Sequence, residues 1–168
     1  MSTEESEPHL GVLLQGDREL LVTRARAEDV PAIVALLADD VLGQNRESDA
    51  DDARYLEAYR AIDADPNQVL MVVRDGDQVA ATAQLTFIPG LSHAGALRSQ
   101  VEAVRVAASH RGLGLGQAFI LWMADYATAR GAAMMQLTTN RTRADAIRFY
   151  ERLGFVASHE GMKLPLPR

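Results

Sequence analysis

The sequence contains no cysteine. That excludes disulfides, thiolate metal sites and a cysteine nucleophile, and it makes a cytoplasmic setting the expectation. Lysine is nearly absent too: of 17 basic residues only Lys163 is a lysine, a background bias that carries no functional signal. No apolar run approaches the ~20 residues of a membrane span. The four histidines, His9, His93, His110 and His159, do not cluster and show no metal-ligand spacing, so no metal is expected. The acidic start, Met1 to Glu7, resembles neither a signal peptide nor a transit peptide. No internal repeat is visible.

What is present suits a soluble globular domain. Hydrophobic residues make up 48% and charged residues 24% of 168 residues, enough for one domain with a real core. The net charge of −6 is unevenly spread: residues 1–66 carry 16 acidic and 6 basic side chains, residues 67–168 carry 7 and 11. An acidic half favours a cationic substrate and repels nucleic acid; a basic half favours a polyanionic ligand. The alternative is that both are solvated faces.

Read in order, residues 1–19 form an extension whose first eight residues read as a disordered tail. Leu10-Gly11-Val12-Leu13-Leu14 is a weak strand candidate. Residues 20–168 form the main domain. Leu20 to Arg26 reads as a strand. Glu28-Asp29-Val30-Pro31 opens a helix, with acids in its first turn and a proline where a missing N–H costs little. Asp39 to Asp52 is an acidic loop, and Ala53 to Ile62 a second helix. Val69 to Val73 and Gln78 to Ile88 form a hairpin about Asp75-Gly76. Pro89 to Ser99 reads as a loop. Val101 to Val106 is a strand, and residues 117–127 continue a helix that closes at Arg130-Gly131. Met134 to Thr139 is a strand, Arg143 to Leu153 a helix, and Phe155 to Ser158 with Met162 to Leu164 a closing hairpin. The order βααβββαβαββ predicts a mixed α/β sheet of six to seven strands with helices on both faces.

Chemistry concentrates at Arg111-Gly112-Leu113-Gly114-Leu115-Gly116. A glycine turn that feeds a helix directs several backbone N–H groups, and the positive end of the helix dipole, at one point that suits a phosphate. A P-loop needs Lys-Ser/Thr after its last glycine, and Gln117-Ala118 stands there. A dinucleotide fingerprint needs Gly or Ala in sixth place, which Gln117 or Phe119 fills instead. The pattern that fits is Arg-x-x-Gly-x-Gly. The alternative is a βα turn whose glycines only relieve crowding.

With a Val-rich strand before it and a long apolar helix after it, this motif resembles the acetyl-CoA site of the GNAT N-acetyltransferases. A second motif agrees: Ala146-Ile147-Arg148-Phe149-Tyr150-Glu151-Arg152-Leu153-Gly154-Phe155 is similar to the family's helix ending in Tyr-x-x-x-Gly-Phe. The resemblance covers about residues 20–164. It implies the GNAT (acyl-CoA N-acyltransferase) fold and an acetyl-CoA-dependent N-acetyltransferase acting on a small-molecule or peptide amine. It also implies a homodimer; the charge pattern and the lack of a long apolar run make neither nucleic acid nor membrane an expected partner. Backbone amides from Arg111 to Gly116 are then expected to hold the CoA pyrophosphate. Many members carry Asn where this chain has Arg143; Asn140 lies nearby as a substitute, and Arg143 itself suits a CoA phosphate.

Acetyl transfer to an amine needs the amine neutral, its developing oxyanion stabilised and the leaving thiolate protonated. Glu102, placed at the same strand parity as Val104 and Val106, is the expected base; a solvated edge residue or a partner of Arg105 is the alternative. Backbone N–H groups at Val104 and Val106, freed by a bulge or splay, are expected to serve the oxyanion and pantetheine. Tyr150 matches the tyrosine that protonates the CoA sulfur, with a place in the core as its alternative. His110 reads as a solvated loop residue, and His93 as a weak substrate-side lead. A non-catalytic CoA-binding regulator of the same fold is the competing function.

Overall fold

The computed structural model describes residues 9–39 and 53–167. Six strands form one sheet in sequence order: β1 (His9–Gln15), β2 (Arg18–Arg24), β3 (Gln68–Asp75), β4 (Gln78–Ile88), β5 (Leu97–Val106) and β6 (Ala132–Leu137). Neighbours run antiparallel except β5 and β6, which are parallel. Helices α1 (Val30–Ala38) and α2 (Ala53–Ala64) lie in the chain between β2 and β3, and a single turn, α3 (Ser92–Gly95), precedes β5. The parallel pair needs a crossover, and α4 (Leu115–Ala129) supplies it; α5 (Ala144–Arg152) comes after β6.

Alternation along β3 sets the two layers. Val69, Met71 and Val73 face the main core with Leu115, Phe119, Ile120 and Met123 of α4. Val72 and Leu70 face the other way, against Ile33 and Leu37 of α1 and Tyr59 of α2. Helices therefore cover both faces, as expected. In α4 the buried positions Leu115, Phe119, Ile120, Met123 and Ala127 keep the spacing of one helical face. The helix ends where Gly131, at φ +83°, closes back onto Thr128 O at 2.9 Å.

Some boundaries differ from the sequence reading. The weak candidate around Leu10 is a full strand, β1, paired along β2. Its Gly11 lies at a close approach: a Cβ there would sit 3.1 Å from Trp122 Cζ2, so a larger residue would push the indole by a few tenths of an ångström. The strand placed at Leu20 to Arg26 lies at Arg18–Arg24. Leu97 to Ser99, read as loop, opens β5, and Ser99 is buried with its hydroxyl donating to Met134 O at 3.2 Å. The strand placed at Met134 to Thr139 runs over Ala132–Leu137. The closing hairpin is absent: residues 155–167 contain no strand. Of that stretch Phe155 packs edge-on to Tyr150 at 5.6 Å, whereas Val156, Met162, Leu164 and Leu166 are exposed, so their alternation buries nothing. The tail at residues 1–8 and most of the acidic loop, residues 40–52, fall outside the described residues.

Phe119 is fully enclosed between α4 and the sheet. Phe119→Ala is expected to cost about 3–5 kcal/mol of folding stability, read as a lower midpoint in chemical denaturation.

Candidate active site

The pairing of β5 changes along its length. Its contact with β6 ends at Val101↔Leu137, while its contact with β4 continues to Val106↔Ala81. From Glu102 onward the outer edge of β5 has no strand partner among the described residues. The β4 register also slips there, so that Ala83 alone faces both Ala103 and Val104. This is a β-bulge, with Ala103 held at φ +54°, a left-handed conformation that an L-residue adopts at a cost. Beyond it Ala107 N–H donates to Ala80 O on β4 at 2.8 Å. By the alternation of an antiparallel ladder, Val104 and Val106 then turn their N–H and C=O groups to the open edge. Their carbonyls are taken by arginines: Arg105 Nη1 donates to Val104 O at 2.8 Å and Arg111 Nε to Val106 O at 3.0 Å. The sequence expectation of a splayed strand thus has a structural counterpart.

The open edge leads into the glycine turn. Gly112 and Gly114 have φ of +74° and +81°, which is why glycine stands at both. A Cβ at either would meet nothing within 4 Å, so the glycines answer to backbone conformation and not to crowding. Gly114 caps α4, and the first N–H groups of a helix have no partner within it. Gly116 differs: its Cβ position lies 3.6 Å from Val106 Cγ2 and 3.8 Å from Phe149 Cζ, where the helix crosses β5. Residues 111–114 are exposed while Leu115 is buried, so the cradle is open above and anchored below. The Arg111 N–H bonds to Ala108 O at 3.3 Å, and the free amides therefore begin at Gly112. An open ring of amides at a helix N-terminus fits a pyrophosphate.

The bulge corrects one expectation. An extra residue in β5 reverses the parity beyond it, so Glu102 does not share a face with Val104 and Val106. Glu102 pairs with Gln84, on the α1–α2 side, whereas Val104 and Val106 pack on the α4 side. Glu102 is exposed. Tyr150 lies on the α4 side, half-buried, with its ring against Phe149 at 5.1 Å and Phe155 at 5.6 Å. Burial raises its phenol above the usual value of 10.0, with the Arg143 and Arg105 guanidinium groups pulling the other way. A raised phenol is a proton donor at neutral pH. Asn140 Oδ1 accepts from Thr142 N at 3.0 Å and Thr142 Oγ1 at 2.9 Å, a turn that delivers the chain to α5. Arg143 is the N-cap residue of α5.

Similarity to known proteins bears on this geometry. The family model of the Acetyltransferase (GNAT) family matches residues 30–155. The chain belongs to the GNAT acetyltransferase family. Two of its curated relatives are named as N-acetyltransferases. Among curated relatives, streptothricin acetyltransferase of Streptomyces lavendulae is 36% identical over 55% of this chain. That match spans 46% of the relative, about half its length. Aminoalkylphosphonate N-acetyltransferase of Salmonella typhimurium is 27% identical over 80% of this chain and 84% of its own. A solved structure from Bacillus halodurans C-125, described as a transcriptional regulator, is 39% identical with a TM-score of 0.84, over 88% of this chain and 99% of that one. The six-stranded mixed sheet is the GNAT fold.

Three supporting residues were not visible in the sequence. Gln15, at the end of β1, donates through Nε2 to Leu113 O at 3.0 Å and so ties the GNAT cradle to the edge strand. Asp39, at the end of α1, pairs with Arg111 Nη2 at 2.7 Å. Asp75 bonds to both Arg18 at 2.6 Å and His110 Nε2 at 3.0 Å. His110 is buried, not solvated, with Nδ1 also 2.8 Å from Ser109 Oγ. These partners lie far away in the chain, so no local pattern marks them.

Gly114→Ala is expected to lose about 1–2 kcal/mol, since strain and not collision opposes it, together with CoA affinity in calorimetry. The His110 and Arg18 bonds hold the Asp75 carboxyl below its ordinary 3.8. Its stabilisation is present above that value and fades as pH falls through the lowered one. Asp75→Asn is therefore expected to lower Tm near neutral pH and to flatten the decline of Tm below about pH 4.

Proposed function

We propose that this N-acetyltransferase moves the acetyl group of acetyl-CoA directly onto the amine of a small molecule. The observation that carries the reading is the unpartnered edge of β5, whose Val104 and Val106 amides run toward the open cradle at the start of α4. Gly112 to Gly116 hold the pyrophosphate, with Arg111 beside them. Asn140 and Arg143 flank the pantetheine and phosphate end. The names of the curated relatives support a small acceptor: one acts on streptothricin, another on aminoalkylphosphonates.

Acetyl-CoA supplies the thioester. The acceptor approaches from the Glu102 face, and Glu102 takes the proton that an alkyl ammonium of pKa ~10.4 must lose. The amine nitrogen then bonds to the acyl carbon. Val104 and Val106 amides donate to the oxygen as it gains charge. Breaking of the C–S bond leaves a thiolate, to which Tyr150 gives its phenolic proton from the α4 side; the second proton, carried by the new amide nitrogen, is shed to water, and water returns one to the Tyr150 phenolate. Base and acid thus stand on opposite faces of the sheet, at the place where β5 and β6 part. With no cysteine to accept the acetyl group, a covalent acetyl-enzyme is not required.

Release of CoA with a panel of small amines tests the reading. Tyr150→Phe is expected to lower kcat about 10²–10⁴-fold with little change in the KM for acetyl-CoA. Glu102→Gln should lower it comparably at neutral pH and recover toward pH ~10, where the amine loses its proton unaided. An unchanged kcat in either variant removes that residue from the mechanism.

A further inference from the structure

The face that carries Glu102 holds a polar row that the transfer chemistry leaves unused. Gln68, Thr86, Gln100 and Gln136 stand register partner to register partner across β3, β4, β5 and β6. Gln84 lies one row along, opposite Glu102. The side chains bond sideways: Gln84 Nε2 donates to Gln68 Oε1 at 2.7 Å, Thr86 Oγ1 to the same oxygen at 3.0 Å, and Gln136 Nε2 to Gln100 Oε1 at 2.6 Å. At the end of the row Arg98 Nη1 reaches Gln136 Oε1 at 3.4 Å.

Under α1 and α2 this face carries the apolar Leu70, Val72 and Val79, and its buried threonines there are satisfied: Thr82 Oγ1 donates to Met71 O at 2.9 Å and Thr23 Oγ1 accepts from Arg74 Nε at 3.1 Å. A sealed sheet face favours such residues, because an amide shut away without its full set of bonds costs free energy. Here every side chain of the row is half-buried. Nε2 of Gln68 and Gln100 and Oε1 of Gln84 have no protein partner among the described residues, yet none of them is sealed from solvent. The row is therefore a preorganised floor with donors and acceptors to spare. Arg98 adds a cation that pairs with no carboxylate among the described residues.

We infer that this row is the floor of the acceptor subsite, and that it selects a compact amine bearing an oxyanionic group, carboxylate or phosphonate, held by Arg98. The inference rests on the transfer reaction proposed above. Arg98 and Glu102 share a face four residues apart, about 13 Å at a strand rise of about 3.3 Å per residue. Their long side chains take up much of that span, so amine and oxyanion are separated by a chain of a few atoms. The glutamines bind hydroxyl or amide groups between the two ends. A guanidinium suits an oxyanion because its planar fork matches two oxygens at once.

Matched acceptors test this: an ω-amino carboxylate, the ω-aminoalkylphosphonate of equal length, and the uncharged ω-amino alcohol. The full chain is expected to favour at least one anionic amine over the alcohol by 10-fold or more in kcat/KM. Arg98→Gln should lower that ratio at least 10-fold, through KM, with CoA affinity unchanged in calorimetry. Gln100→Glu, which sets a carboxylate in the row, should lower it as well, and guards against misfolding of the first variant. The two anionic arms tell a carboxylate preference from a phosphonate one. Calorimetric binding of the same amines to the CoA complex reads the subsite without turnover. Loss of the anionic amine's binding in Arg98→Gln supports the inference. Equal use of charged and neutral amines, or a ratio unmoved by both variants, overturns it and leaves the transfer reading standing. Failure to bind CoA instead defeats the transfer reading and, with it, the inference.

Discussion

Backbone N–H and C=O groups within a sheet are obliged to find partners, and β5 is released from that obligation on one side. Up to Val101 it is shared between β4 and β6; beyond, only β4 remains. The release is local, because β6 stops at Leu137 and the bulge at Ala103 re-aims the last residues of β5. Two arginines take the exposed carbonyls of Val104 and Val106, leaving their amides as donors toward the groove. The cradle at the start of α4 depends on the same event. Gly116 sits against Val106, so the helix N-terminus is docked on the strand whose edge it continues.

Charge is arranged around this architecture. The cradle residue Arg111 bridges three places: its own turn, the Val106 carbonyl and the Asp39 side chain at the end of α1. Below the turn, His110 is buried against Asp75, which Arg18 also holds. The strongly acidic first part of the chain, through Asp39, thus helps to fix a basic residue of the cradle in place. Among exposed pairs such as Arg111–Asp39, positioning is a larger effect than stability, since surface ion pairs contribute at most ~1 kcal/mol.

What was legible in the sequence depended on the range of the cause. Gly112 and Gly114 announced their turn because glycine is needed where φ is positive, a property of the residue alone. The apolar spacing of Leu115, Ala118, Phe119, Trp122 and Tyr126 announced α4 for the same reason. The parity of Glu102 was not legible. The bulge that reverses it falls on Ala103, an ordinary residue, and is imposed by how β4 and β6 meet β5. Gly11 misled in the opposite sense: it argued against a strand, yet it stands in one, where β1 passes close to Trp122. The burial of His110 needed Asp75, 35 residues away. The hairpin expected after Phe155 failed because alternation reports burial only where a neighbouring surface exists to cover one side.

Trp122 is the only tryptophan in the chain. Its indole N–H donates to Val12 O at 3.1 Å, its ring stacks on Tyr126 at 5.3 Å, and it rests on Gly11. Its emission therefore originates at the seam between the edge strand and the long helix, about two turns below the phosphate cradle. Since β1 also tethers the cradle through Gln15, the protein carries an intrinsic fluorophore wired to both ends of that contact. Loosening of the first strand is optically readable without a label.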